Sequence, residues 1–304
     1  MKVFYSDHFV LPLPEGHKFP MVKYSMLREE VETSNICGSG ELRVPDAATD
    51  EQILRAHDRD YLERAKAGEL TDKEVRRIGF PWSERMIERS RRASGGTIGA
   101  CLAALDGGFS ANLAGGTHHA FAHRGEGFCV FNDAPIAVRE MQNMGLVERA
   151  VIVDTDVHQG NGSASILSGD DSVFTFSMHG AKNFPFHKEE SDLDIELADG
   201  TRDDEFLENL EWGLKKSLAA SRPQLAIYLA GADPFEGDRL GRLSVSKDGL
   251  AERDRIVLET LRDRNIPVAV VMAGGYSNDV ENTVEIHMNS IKRAAELHGS
   301  PKGA

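Results

Sequence analysis

Ala150-Val151-Ile152-Val153-Asp154-Thr155-Asp156-Val157-His158-Gln159-Gly160-Asn161-Gly162 is the stretch that decides the fold. A short β-branched apolar run breaks off into acids, a histidine and glycines. A run of this length bounded by turn residues reads as a strand buried on both faces. Val3–Tyr5, Phe109–Leu113, Val173–Ser177, Leu225–Leu229 and Val268–Met272 have the same form, each ending near Gly, Asp or His. Between several of them lie charged segments with helical spacing: Ser83–Leu105, Ala134–Met144, Asp203–Ala219, Lys247–Arg264 and Asn278–Leu297. Buried strands alternating with amphipathic helices predict an α/β chain whose mainly parallel sheet is covered on both faces.

Such sheets bind ligands beyond the carboxyl ends of their strands. Beyond Phe109–Leu113 comes Ala114-Gly115-Gly116-Thr117-His118-His119-Ala120, and beyond Val173–Ser177 comes Met178-His179-Gly180. Leu225–Leu229 leads into Ala230-Gly231-Ala232-Asp233-Pro234, and Val268–Met272 into Ala273-Gly274-Gly275-Tyr276. Together with Asp154–Gly162, these strand ends should open onto one edge, and their shared Asp, His, Tyr and Gly content marks a site.

Residues i and i+2 of an extended strand end point the same way, so Asp156 and His158 can reach one cation. Asp233 can close a third side. Two carboxylates and one imidazole suit zinc or another divalent metal and leave a position for water and substrate. Asp-x-Asp-x-His alone would also describe a solvated turn; Asp233 and the adjacent His118-His119 favour a metal site. The two imidazoles can serve as base and electrostatic partner, with Asp154 and Asn161 available to fix their tautomers. Tyr276, after Gly274-Gly275, can donate to an oxyanion that a metal also polarises. In Gly127-Phe128-Cys129-Val130-Phe131-Asn132-Asp133, Phe128 can line an apolar tunnel for a long, thin substrate.

Composition bounds the function class. The 304 residues show no linker, repeat or low-complexity tract, so one domain over residues 1–304 is expected. A chain of this size buries a core without help from a disulfide or metal, so a metal here serves chemistry. Lys and Arg number 35 against 49 Asp and Glu, a net charge of −14. That balance opposes nucleic-acid binding and is compatible with a cationic protein substrate. Cys37, Cys101 and Cys129 are an odd set without paired spacing. The N-terminus lacks an apolar leader and no run is long enough to span a membrane. A cytoplasmic location is expected; the oligomeric state is left open.

In chain order, Gly115–Ala120, Gly127–Asp133, Asp154–Gly162, Gly231-Ala232-Asp233 with Gly237-Asp238-Arg239-Leu240-Gly241, and Gly274-Gly275-Tyr276 resemble the zinc-dependent histone deacetylase family. The resemblance runs from Phe4 to Leu297. Asn161 looks like the class II and class IV pattern, Glu236–Ser246 looks most like class IV, and Trp212–Leu218 fits that class too. The resemblance implies the arginase/deacetylase fold, a parallel sheet of about eight strands between helices. It implies a deacylase acting on acylated lysine side chains of proteins or on small acylated amines, with acetyl or longer acyl groups. Asp156, His158 and Asp233 match the zinc ligands, His118 and His119 the tandem histidines with His119 as base, and Tyr276 the oxyanion donor. Gly127, Phe128, Gly274 and Gly275 match substrate-contacting positions. Phe184 matches the tunnel wall facing Phe128, in competition with Phe186. An inner potassium site is implied on backbone oxygens of Asp154, His158 and Met178 and side chains of Asp156 and Ser177.

Two stretches depart from the family pattern. The loop Arg77-Ile78-Gly79-Phe80-Pro81-Trp82 lacks the acid that grips a peptide backbone in many members. His17–Tyr24 also differs from the usual Pro- and Arg-rich form, so the pocket floor is expected to differ in size. Class IV relatives accept long acyl chains, which makes long-chain deacylation one expectation. Three rival functions share the expected fold. A binuclear manganese ureohydrolase needs Asp-x-His-x-Asp, whereas Asp156-Val157-His158-Gln159-Gly160 ends in Gly. An acetylpolyamine amidohydrolase narrows its channel with an inserted loop, and no insertion stands out in the first hundred residues. An inactive zinc-binding scaffold should lack a ligand, a histidine of the pair or the tyrosine, and all are present.

Overall fold

The computed structural model describes residues 1–38 and 40–298. Its strands are β1 (Val3–Phe4), β2 (Leu42–Arg43), β3 (Phe109–Asn112), β4 (Ala150–Asp154), β5 (Val173–Gly180), β6 (Leu193–Leu197), β7 (Leu225–Leu229) and β8 (Val268–Val271). They form one eight-stranded sheet in the order β2-β1-β3-β8-β7-β4-β5-β6. Every pairing is parallel. All carboxyl ends therefore emerge on one edge, as the sequence predicts.

The helices are α1 (Lys23–Thr33), α2 (Asp50–Ile53), α3 (Arg59–Ala67), α4 (Asp72–Ile78), α5 (Glu84–Gly107), α6 (Asp133–Asn143), α7 (Asn161–Leu167), α8 (Asp203–Ser221), α9 (Lys247–Asp263) and α10 (Val280–Leu297). The period of two along each strand divides the core between the two faces of the sheet. Val151 and Val153 of β4, Tyr228 of β7 and Val270 of β8 pack with Phe206, Leu214, Val257 and Ile291 of α8, α9 and α10. Ile152, Ile227, Leu229 and Val271 instead meet Ile98 and Ala100 of α5 and Ile136 and Met141 of α6. Each such aliphatic side chain contributes roughly 1.5–3 kcal/mol by leaving water. This double covering is why the central strands read as continuous apolar runs.

Helix starts follow local chemistry. Ser83 accepts from the Met86 N–H at the head of α5, and Ser246 accepts from the Gly249 N–H at the head of α9. Thr49 with Gln52 and Thr71 with Glu74 form capping boxes on α2 and α4. No helix among the described residues is long and apolar enough to cross a membrane.

Candidate active site

Asp156 and His158 lie just beyond β4, and Asp233 just beyond β7. One ligand atom from each lies within 4.8 Å of the others, and all three residues are buried. His158 Nδ1 is 3.0 Å from Asp156 Oδ1 and 3.2 Å from Asp233 Oδ2. Backbone amides aim both carboxylates: Asp156 accepts from His158 N–H at 2.9 Å and Gly274 N–H at 2.6 Å, and Asp233 from Val157 N–H at 2.9 Å. Gly274 is required by space, since a Cβ there would sit 1.8 Å from Asp233 Oδ2 and 2.6 Å from Asp156 Oδ2.

The electrostatics of this cluster call for a cation. Burial pulls the His158 imidazole down, but hydrogen bonds and charges of Asp156 and Asp233 push it up to about 10. Burial and the Asp156 charge hold the Asp233 carboxyl above the usual carboxylate range. Burial opposes ionisation of Asp156 too, yet His118 and His158 drive its carboxyl far down. Buried carboxylates are stable only when paired or metal-bound. Two carboxylates and an imidazole, pre-aimed by backbone amides around a cradle that a Cβ would fill, fit a divalent metal such as zinc.

The histidine pair stands beside this cluster, ring centroids 4.1 Å apart. His118 Nδ1 meets Asp154 Oδ2 at 2.7 Å, and His119 Nδ1 meets Asn161 Oδ1 at 2.7 Å. An Nδ1–H donated to the Asn161 oxygen leaves the His119 Nε2 lone pair free. Burial lowers both imidazoles, but the Asp154 and Asp156 charges raise His118 to about 9. Burial, then the charges of His118 and His158, hold His119 well below its ordinary value. The two environments thus favour a proton on His118 and a neutral ring at His119.

The loop carrying them is clamped by residues whose roles the sequence reading did not assign. Buried Asp133 accepts from Gly116 N–H at 3.1 Å, Thr117 N–H at 2.7 Å, the Thr117 hydroxyl at 2.6 Å and the Thr97 hydroxyl at 2.6 Å. Asn132 Nδ2 donates to Ala120 O at 3.0 Å and His118 O at 3.3 Å. An Asn-Asp pair at the head of an apolar helix was the available clue, because such residues bond loop backbone.

Tyr276 is held similarly. Its N–H donates to Asp238 Oδ2 at 2.6 Å, and its carbonyl accepts from Arg239 Nε at 2.8 Å. The Lys23 ammonium, 2% exposed, donates to Ala273 O at 3.2 Å and Gly275 O at 3.4 Å, tying α1 to the Gly-Gly-Tyr loop. The Tyr276 ring lies 6.3 Å from that of His158 and 6.0 Å from that of Phe128.

Gly127 and Phe128 both have positive φ, 55° and 66°. They occupy a tight two-residue turn closed by the paired Glu126 and Cys129 backbones. A phenylalanine in this region costs about 1–3 kcal/mol and persists only when its surroundings fix it. Here Gly127 N–H donates to Arg77 O at 3.1 Å and Phe128 N–H to Ile78 O at 2.7 Å. Phe184 meets His119 edge-on with centroids 4.9 Å apart, whereas Phe186 is 84% exposed at the rim.

Two cavities meet at these residues. An outer mouth of about 440 Å³ is lined by Arg77, Phe128, Phe184, Phe186, Leu240 and Arg242 among others. An inner chamber of about 40 Å³ adds Phe19, Tyr24, Arg89 and Ala93. His119, His158, Gly127, Phe128 and Tyr276 line both, and Gly274 the inner one alone. Asp154 and Ser177 are paired neighbours on β4 and β5, and both are buried, as is Met178. The Ser177 hydroxyl also lies 2.9 Å from His179 Nδ1.

The histone deacetylase domain family matches residues 17–291. The chain belongs to that family. Its members are deacetylase-type hydrolases and are zinc-dependent in general. The chain is 42% identical over 293 residues to an uncharacterized protein of Picosynechococcus, covering 96% of this chain and 97% of that one. It is 29% identical over 314 residues to histone deacetylase 2 of Arabidopsis thaliana, covering 99% and 81% of the two. Acetoin utilization protein AcuC of Bacillus subtilis is 28% identical over 292 residues, covering 89% and 75%. The crystal structure of a histone deacetylase homolog complexed with SAHA superposes with a TM-score of 0.83 at 24% identity, over 99% of this chain and 85% of that one. The homolog from Aquifex aeolicus gives 0.82 at 23% identity, over the same shares. These two superpositions establish the shared fold.

Proposed function

We propose that the chain is a zinc-dependent deacylase that hydrolyses the side-chain amide of acyl-lysine, with acetyl or a comparably short acyl group. One observation carries the reading. The buried Asp156–His158–Asp233 cluster presents His158 at the neck where a wide mouth meets a smaller, more enclosed chamber, beside two histidines whose proton affinities are driven apart and one tyrosine. A zinc ion held by those three residues would supply Lewis acidity, polarising the acyl carbonyl and bringing water's pKa to about 7.

This chain's own groups supply the rest. Phe128 and Phe184 flank the neck and admit an unbranched side chain. Neutral His119, oriented by Asn161, takes a proton from the attacking water. The Tyr276 hydroxyl donates to the oxygen that gains negative charge. His118, keeping its proton through Asp154, steadies that charge, and His119 returns its proton to the leaving amine. The inner chamber receives the acyl group. Its 40 Å³ corresponds to roughly three waters, which favours acetyl over the long chains expected from a class IV likeness. A potassium ion among Asp154, Asp156, His158, Ser177 and Met178 is part of the proposal, supported by the burial of all five and by the pairing of Asp154 with Ser177 on neighbouring strands.

The test is turnover of zinc-loaded protein on lysine peptides acylated from acetyl to myristoyl, with Tyr276→Phe beside it. Acetyl should be preferred, and the variant should lose about 10²–10³-fold in kcat while holding its zinc. Near-full activity of Tyr276→Phe would remove the oxyanion role, and preference for myristoyl would overturn the chamber argument.

A further inference from the structure

We propose that the mouth selects acyl-amine substrates bearing a carboxylate close to the acylated side chain. That carboxylate is an acidic residue next to the acyl-lysine, or the free carboxylate of an acylated amino acid. This rests on the deacylase reading and names the class of substrate within it.

The chain carries a net charge of −14, so an unselected stretch of its surface should be negative. The mouth is the reverse. The charged side chains that line it, besides the site histidines, are Arg77, Glu126, Lys182 and Arg242. Glu126 is already paired with Arg124 at 3.3 Å. Lys182 and Arg242 share one acid, Asp199, at 3.8 and 3.1 Å. Counting Arg124 and Asp199, four cations face two acids. Arg77 is exposed, and its side chain has no hydrogen bond or ion pair among the described residues.

Arg77 is nonetheless rooted. Its carbonyl holds Gly127 N–H and its neighbour Ile78 holds Phe128 N–H, so the Arg77 backbone is fixed beside a wall of the neck while the guanidinium keeps its donors free. A cation in the last turn of α4 would by itself be explained by the helix dipole. That explanation does not reach Lys182 and Arg242, which come from separate loops of the same mouth. An arginine with free donors is suited to bidentate recognition of a carboxylate. The same charges disfavour a polyamine, whose free ammonium groups would meet them as the acylated end entered.

The test compares kcat/KM of the zinc-loaded protein on matched acetyl-lysine peptides flanked by Asp or by Lys. A second arm compares free Nε-acetyl-lysine with its carboxamide, which separates the two sources of carboxylate. Exposed ion pairs each contribute a few-fold, so attraction plus repulsion should favour the Asp-flanked peptide by about tenfold at low salt. The preference should shrink towards unity at about 0.5 M salt. In Arg77→Glu the Asp-to-Lys ratio should fall to about 1 or invert; a ratio taken within one variant does not depend on the fraction folded. A preference in the carboxamide arm alone would assign the carboxylate to a free amino acid. Equal turnover in both arms, or a ratio unchanged in Arg77→Glu, overturns the proposal and leaves the deacylase reading standing. No turnover on any of these amides overturns both.

Discussion

Gly274→Ala should abolish tight zinc binding without unfolding the protein. Gly274 lies between β8 and Tyr276, and its N–H holds Asp156 Oδ2 at 2.6 Å. The new Cβ would fall 1.8 Å from Asp233 Oδ2, whereas ordinary contact begins at 3.4 Å. One of the two must move by about 1.6 Å, several times the roughly 0.2 Å tolerance of a metal–ligand distance. Either the Asp233 oxygen withdraws, or the backbone shifts and loosens its bond to Asp156. Loss of a supporting contact alone typically costs 10–100-fold in metal affinity. With a ligand displaced as well, the expected loss is at least about 100-fold. Competition with a fluorescent zinc chelator reads the affinity. Thermal melts with and without zinc show whether the metal-free variant still folds and whether zinc still raises Tm, as a native-state ligand should. A variant that binds zinc within about threefold of the wild type would refute the claim that these carboxylates form the metal cradle.

Other consequences follow from the same geometry. Zinc binding should weaken at least about tenfold per pH unit on acidification between pH 8 and 6, because His158, raised to about 10 without metal, must release its proton for zinc to bind, and Asp233, raised to about 7, adds a second proton towards pH 6. A flat affinity across that range, measured by chelator competition, would contradict this. Asp133→Ala strands four buried or part-buried donors, so it should cost about 3 kcal/mol or more in urea denaturation. A loss below about 1 kcal/mol would mean that water replaces the clamp. Lys23→Met removes two hydrogen bonds to the Gly-Gly-Tyr loop and should lower kcat more than it changes zinc affinity. Unchanged turnover would show that Asp238 and Arg239 hold Tyr276 unaided.

The inner sheet was legible because β4, β7 and β8 are buried on both faces and almost wholly apolar, while β3 keeps its buried Ser110 and Asn112 bonded to Lys2 O and Ala93 O. The edges were not. β2 is two residues long, and β6, Leu193-Asp194-Ile195-Glu196-Leu197, is largely half-exposed and carries acids. The short helices α1 to α4 and α7 were not read either, although the capping boxes of α2 and α4 are visible in sequence. In the site, Asp154, Asp156 and His158 were legible because spacing along one strand end sets their direction. Lys23 was not: a lysine at a helix start reads as solvated, and its burial depends on carbonyls some 250 residues away. Arg89 escaped for the same reason, buried within a helix otherwise rich in exposed charge.

The central claim is that one zinc ion on Asp156, His158 and Asp233 is needed for hydrolysis. Chelator-stripped protein titrated with zinc, with acetyl-lysine peptide turnover followed throughout, tests it most directly. Activity should be negligible at the start and rise linearly to a plateau at one zinc per chain. A plateau at two metals per chain, or full activity before any zinc is added, would contradict it.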